Sequence, residues 1–115
     1  MTGRDEFIDY LLELLEPMGQ LQARRMFGGC GIFKDGLMFA LVSGQMLYLK
    51  ADELNRADFE KAGLEKFSYM RAGKLAKLSY YQAPGDALED SDLLVEWAGK
   101  SYAAAVRKTA KPGRK

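Results

Sequence analysis

The dipeptide Asp35-Gly36, flanked by Gly31-Ile32-Phe33-Lys34 and Leu37-Met38-Phe39-Ala40-Leu41-Val42, constrains this chain more than any other feature. A two-residue loop of that composition is a type I′ turn, whose central residues both need positive φ and whose twist suits two antiparallel strands. Phe33 is thereby predicted opposite Met38, Gly31 opposite Ala40 and Gly29 opposite Val42. A second turn around Ser43 and Gly44 leads into Met46-Leu47-Tyr48-Leu49-Lys50. Three strands joined by such tight turns must be antiparallel neighbours, because a parallel pair needs a crossover of a dozen or more residues.

Helical periodicity frames this meander. Phe7, Leu11, Leu14 and Leu15 recur at helical spacing, with Ile8, Leu12 and Met18 widening the stripe. Thr2 is the candidate cap, with Asp5 three residues later, and Pro17 and Gly19 end the helix. Residues 51–63 read as a short helix capped by Asn55 or Asp52, with Phe59 and Ala62 facing inward and Gly63 closing it. Residues 66–71 and 75–81 form a second hairpin around Ala72-Gly73. A final helix starts near Asp90 or Ser91 and carries Leu94, Trp97, Ala98, Tyr102, Ala105 and Val106. The order α-β(3)-α-β(2)-α predicts an α+β two-layer sandwich, an antiparallel sheet with its helices on one face. Residues 1–107 are expected to be one domain, and 108–115 a basic, disordered tail.

A chain of 115 residues buries roughly 65% of the surface its unfolded form exposes, enough for one core. No apolar run approaches a membrane span and the first residues lack the layout of a signal peptide, so a cytoplasmic location is expected. Histidine is absent and Cys30 is the single cysteine. That excludes His-dependent triads, histidine metal sites, an internal disulfide and a thiolate zinc cage. The acids fall on helix faces and near helix starts, where they favour the macrodipole rather than form a catalytic pair. No enzyme activity, cofactor or metal is expected. Five of the 17 basic residues, Arg107, Lys108, Lys111, Arg114 and Lys115, lie in the last nine positions. They are the candidate nucleic-acid contacts, a nonspecific grip opposed by a body left with 12 bases against 16 acids.

The stretch Arg24-Arg25-Met26-Phe27-Gly28-Gly29-Cys30-Gly31 stands out because three glycines sit where a strand should carry side chains. They lead into a strand and not into a helix N-terminus, so a phosphate cradle lacks its structural context. Two readings remain. Small residues on a sheet face let a helix approach closely, which is the expectation here, with Cys30 as a buried, inert thiol. Alternatively the glycines floor a binding groove, with Arg24, Arg25, Met26 and Phe27 on its rim. Arginine and large apolar residues are enriched at interface centres, which also makes those four a candidate recognition patch. The strand tyrosines 48, 69, 80 and 81, near Lys50, Lys74 and Lys77, are the residues that could stack single-stranded bases.

The ensemble RRMFGGCGIFKDGLMFAL, LYLKAD, FEKAG, FSY and LSYY, followed by a Trp-containing final helix, resembles the TfoX N-terminal domain family over residues 7 to 107. The motif positions are Met26, Phe27, Gly28, Gly29, Gly31, Asp35 and Gly36. The resemblance implies a fold like that of type III secretion chaperones and no catalytic residues. For full-length members, which carry a second, C-terminal domain, it implies regulation of competence genes together with a cyclic-AMP-receptor-type transcription factor; here a basic tail is expected in place of that domain. A small regulatory adaptor acting through protein contacts is the first expectation. A homodimeric, chaperone-like binding module without a role in transcription is the alternative, motivated by the apolar stretch Leu37 to Val42.

Overall fold

Every glycine-containing turn predicted between strands is present in the computed structural model, which describes residues 3–26 and 29–110. Asp35 and Gly36 take φ of 53° and 80°, and Ala72 and Gly73 take 52° and 80°. The turn after the Leu37 strand falls one residue later than expected, at Gly44 and Gln45, with φ of 56° and 68°. Thr2, Phe27, Gly28 and the tail residues Lys111, Arg114 and Lys115 lie outside the described residues.

The elements run α1 (Gly3–Leu14), a 3₁₀ turn (Glu16–Met18), β1 (Gln22–Met26), β2 (Gly29–Lys34), β3 (Leu37–Ser43), β4 (Met46–Lys50), α2 (Arg56–Lys61), β5 (Lys66–Arg71), β6 (Lys74–Gln82), a second 3₁₀ turn (Gly85–Glu89) and α3 (Ser91–Ala110). All six strands form one antiparallel sheet in the order β1-β2-β3-β4-β6-β5. The fold is α+β as expected, with one strand more than α-β(3)-α-β(2)-α allows. The additional strand is β1. Its residues Gln22 to Arg25 are all exposed, so no alternation of apolar and polar residues announces it; an edge strand need not bury either face.

Register corrects a second expectation. Phe33 does pair with Met38, but Ile32 then pairs with Ala40, Gly31 with Leu41 and Cys30 with Val42. A bulge at Phe39 accounts for the extra residue. Its consequence is that Phe39 and the adjacent Ala40 both join the core beneath the helices. The Phe39 ring meets Tyr102 of α3 edge-on, at 6.2 Å between centroids.

The helices cover one face. Leu11 and Leu15 from the first helical segment, Ile32, Leu47 and Leu49 from the sheet, Phe59 from α2 and Leu94 from α3 are all essentially inaccessible to solvent. Each large side chain buried this way stabilises the fold by about 1.5–3 kcal/mol. Phe59 is stacked on Tyr81 at 5.1 Å, and Trp97 of α3 lies against its ring at the same distance. Ala62, expected inward, is exposed, because α2 is under two turns long and buries Phe59 alone. Two hydrogen bonds tie the first helical segment to the last: Ser91 Oγ donates to the Leu14 carbonyl at 2.6 Å, and the Tyr10 hydroxyl donates to the Leu88 carbonyl. Asp90 Oδ1 accepts the Leu93 N–H at 3.2 Å and so caps α3.

Gly29 and Gly31 do not seat a helix. Close approach of α3 to β3 and β4 is achieved from the helix side, by Ala98, Ser101, Ala104 and Ala105, all buried. Cys30 and Ile32 face the helices, so Gly31 between them belongs to the opposite face. A Cβ at Gly31 would meet Met38 Sδ at 2.7 Å, Phe33 Cε1 at 3.1 Å and Met26 Sδ at 3.2 Å, all from the sheet itself. A Cβ at Gly29 would meet the Val42 carbonyl oxygen at 2.1 Å, the backbone of the adjacent strand. Side chains are missing at these positions because neighbouring strands and thioethers occupy the space.

α3 runs three residues past the expected domain boundary, through Arg107 and Lys108 to Ala110. Among the described residues no helix is long and apolar enough to cross a membrane.

Candidate functional site

The sheet face away from the helices carries a second, smaller cluster in which no helix residue takes part. Leu41, Phe67 and Tyr80 are buried there, with Met38, Tyr48 and Leu78 packed around them. Tyr48 and Phe67 meet edge-on at 4.8 Å. Burial pushes the Tyr80 phenol up to about 12, and its hydroxyl reaches the Met38 carbonyl at 3.4 Å. Lys50 lies 5.2 Å from the Tyr80 ring centre; burial, then repulsion from Lys108, lowers its pKa, against the attraction of Asp52.

The motif residues extend this face to the edge of the sheet. Arg24 pairs with Gly31 across β1 and β2, and its guanidinium carbon stands 4.9 Å from the Phe33 ring centre. That is cation–π distance. Met26, half-buried, places its sulfur beside Gly31. Arg25 pairs with Cys30, so it projects from the other side of the strand. Arg24 and Arg25 are exposed, and among the described residues neither has a carboxylate within ion-pair distance. The structure therefore brings Arg24, Met26 and Gly31 together with Phe33 and Met38, two residues of the same stretch that the sequence reading had not counted among the candidate contact residues. Part of the signal was available: alternation from buried Cys30 and Ile32 puts Gly31 and Phe33 on one side, whereas Arg24 joins them only through the β1–β2 register.

Asp35 and Gly36 serve elsewhere. Besides making the turn, Asp35 accepts the Tyr102 hydroxyl at 3.0 Å, which raises the phenol's pKa. The motif's turn thus tethers the β2–β3 hairpin to α3.

Arg107, expected to reach out with the tail, is turned back onto the domain. Its Nε donates to Asp52 Oδ2 at 2.6 Å and its Nη2 to Oδ1 at 2.9 Å. The same carboxylate accepts the Leu54 N–H at 2.9 Å. Asn55, buried beside it, accepts the Asp52 N–H at 2.7 Å and donates to the Lys50 carbonyl at 3.1 Å. The Arg107 hydrogen bonds, opposed in part by burial, hold the Asp52 carboxyl at about 2. This fork joins the end of α3 to the β4–α2 loop across 55 residues of sequence.

The strand tyrosines divide between faces. Tyr48 and Tyr80 lie on the uncovered side, whereas Tyr81 is stacked under the helices and donates to Glu60 at 3.2 Å. With Tyr80 only 7% exposed, the described tyrosines do not form a platform of open rings. The side chains of Tyr69 and Lys77 lie outside those described. Between α2 and α3 there is a shallow cleft of about 190 Å³ lined by Asp58, Lys61, Glu96, Trp97 and Lys100. The ion pair of Lys100 with Asp58, at 3.1 Å, bridges its sides.

The model of the TfoX N-terminal domain matches residues 13–105, most of the described chain. The chain belongs to the TfoX N-terminal domain family. Within that family it is 32% identical to the DNA transformation protein TfoX of Haemophilus influenzae over 96 residues, which are 82% of this chain and 44% of that protein. It is 33% identical to the DNA transformation protein TfoX1 of Aliivibrio fischeri over 67 residues, 58% of this chain and 32% of that one. Protein Sxy of Escherichia coli is 28% identical over 95 residues, 83% of this chain and 46% of Sxy. This TfoX N-terminal domain chain thus spans less than half the length of the curated relatives it matches.

Proposed function

We propose that this chain is a small regulatory adaptor that acts through protein contacts in the control of DNA-uptake genes, inside the cell. Its partner in this reading is a transcription factor of the cyclic-AMP-receptor type. The observation that carries the reading is the family match over residues 13–105, with relatives named as DNA transformation proteins. The arginine-edged, uncovered sheet face supports it, since contact rather than catalysis is what such a surface performs. DNA contact is secondary. With Arg107 engaged by Asp52, Lys108, Lys111, Arg114 and Lys115 remain for phosphates. Four such contacts imply a salt slope of about −3.6 and a loss of about 150-fold in affinity between 50 and 200 mM salt.

Affinity purification of the tagged chain from its native cell, after crosslinking, tests this. Recovery of such a transcription factor with promoter DNA is expected; recovery of neither removes the adaptor reading.

The sheet face away from the helices, where Met38, Tyr48 and Leu78 are half-buried around the buried Leu41, favours a second reading, a homodimeric chaperone-like module. Light scattering at high micromolar concentration decides it, since a strict monomer is incompatible with that module.

A further inference from the structure

We infer that β1 is a docking edge for an extended acidic peptide segment of a partner protein. It rests on the reading of this chain as a protein-contact adaptor and names the surface that makes the contact. Among the described residues β1 ends the sheet on one side and pairs with β2 alone. Every second residue of an edge strand directs its N–H and C=O outward, ready for another strand.

Charge selects the occupant. Arg24 and Arg25 are adjacent, so they project to opposite faces of the sheet. Both are exposed, and among the described residues neither has a carboxylate partner. A second copy of β1 is a poor occupant. Antiparallel pairing of two such strands about their centre sets Arg24 against Arg24, and the next register towards Met26 sets Arg25 against Arg25. Like charges directly opposite are destabilising. An added strand with two successive acids places one carboxylate on each face, opposite Arg25 and then Arg24. The Arg24 guanidinium, already positioned over Phe33, offers it a planar two-pronged donor. In antiparallel register the residue before the acids lies opposite Met26, whose half-buried thioether accepts an apolar side chain. The recognised segment therefore reads apolar, acidic, acidic, in extended conformation.

The test is panning of a phage-displayed library of nine-residue linear peptides on the immobilised full chain. Enriched peptides are expected to share an apolar-acidic-acidic core. A synthetic peptide from that pool should bind at least 10-fold more weakly to the Arg24→Glu/Arg25→Glu variant, and to the parent once its backbone amides are N-methylated on alternate residues. It should also slow amide hydrogen exchange in β1. Because β1 is exposed, circular dichroism should show the variant folded; the milder Arg24→Gln/Arg25→Gln variant provides the same comparison without charge reversal. Pools without paired acids, or binding that changes less than twofold in both variants, overturn the inference. If the chain still recovers its transcription factor from the native cell in that case, the adaptor reading stands and only the β1 site falls. Peptide docking on β1 without any recovered factor has the opposite meaning.

Discussion

Alanine substitution at Gly29 and at Gly31 should have very different costs, although the residues share a strand and the chemical change is identical. At Gly29 the new Cβ would lie 2.1 Å from the Val42 carbonyl oxygen, 3.2 Å from the Val42 carbonyl carbon and 3.4 Å from Ser43 Cα. Ordinary contact with that oxygen needs roughly 1 Å more, and no side-chain rotation supplies it, so β2 must move away from β3. Overpacking of about 1–3 kcal/mol and the weakening of a ladder hydrogen bond worth about 1 kcal/mol, less the roughly 0.5–1 kcal/mol that any glycine replacement gains from the stiffer unfolded chain, give a loss of about 1–3.5 kcal/mol. At Gly31 the nearest atom, at 2.7 Å, is Met38 Sδ, the far part of a flexible side chain. Replacing a strand glycine removes about 0.5–1 kcal/mol of unfolded-state entropy, which offsets the shift of Met38. The net change should stay within about 1 kcal/mol. Gly31→Val adds two methyls against Phe33 and both methionines and should destabilise by over about 1 kcal/mol. Urea unfolding followed by Trp97 fluorescence measures all three, provided the m-value is unchanged. Equal losses for the two alanine variants, or a larger loss at Gly31, would refute the assignment of these glycines to strand and thioether packing.

Further consequences are open to the same assay. Asp52→Asn should flatten the acid dependence of stability. The native carboxyl is held at about 2 against an ordinary 3.8, so its contribution is complete above the unfolded value and disappears as pH falls through the native one. After allowance for solvent at the partly exposed Arg107, the parent should lose about 1 kcal/mol more than the variant between pH 5 and pH 2. Parallel curves would show that the fork contributes nothing. Ser101→Ala should stabilise by up to about 1 kcal/mol, because Ser101 Oγ is fully buried and has no hydrogen-bond partner among the described residues; a loss of that size would mean the hydroxyl is satisfied. DNA affinity titrated against salt should fall with a slope of about −3.6, and a slope steeper by one unit would place Arg107 back among the phosphate contacts.

Much of this fold was legible locally. Asp35-Gly36 and Ala72-Gly73 announced their turns through glycine chemistry, and the stripes of α1 and α3 announced their buried faces through period. What escaped depended on tertiary context. β1 reads Gln-Ala-Arg-Arg-Met, with no alternation, because an edge strand exposed on both faces is under no demand to alternate. The bulge at Phe39 shifted the glycines' partners by one residue, and no local composition marks it. Gly29 and Gly31 are sites of close approach, but the approaching groups are the Val42 carbonyl and the Met38 and Met26 sulfurs with the Phe33 ring, not the helix that was expected. The small residues facing the sheet are on α3, where alanine passes as an ordinary helix former. The pairing of Asp52 with Arg107 joins residues 55 apart in a chain with many charges of both signs, so nothing in the sequence selects it.

Action through protein contact, with the Arg24–Arg25 edge as its surface, is tested most directly by replacing the chromosomal copy in the native cell and measuring transcripts. Arg24→Glu/Arg25→Glu should reproduce the transcript changes of a deletion, while Lys108→Ala/Lys111→Ala/Arg114→Ala/Lys115→Ala should match the parent. The reverse pattern, with the neutralised tail behaving as a deletion and the charge-reversed edge as the parent, would contradict it.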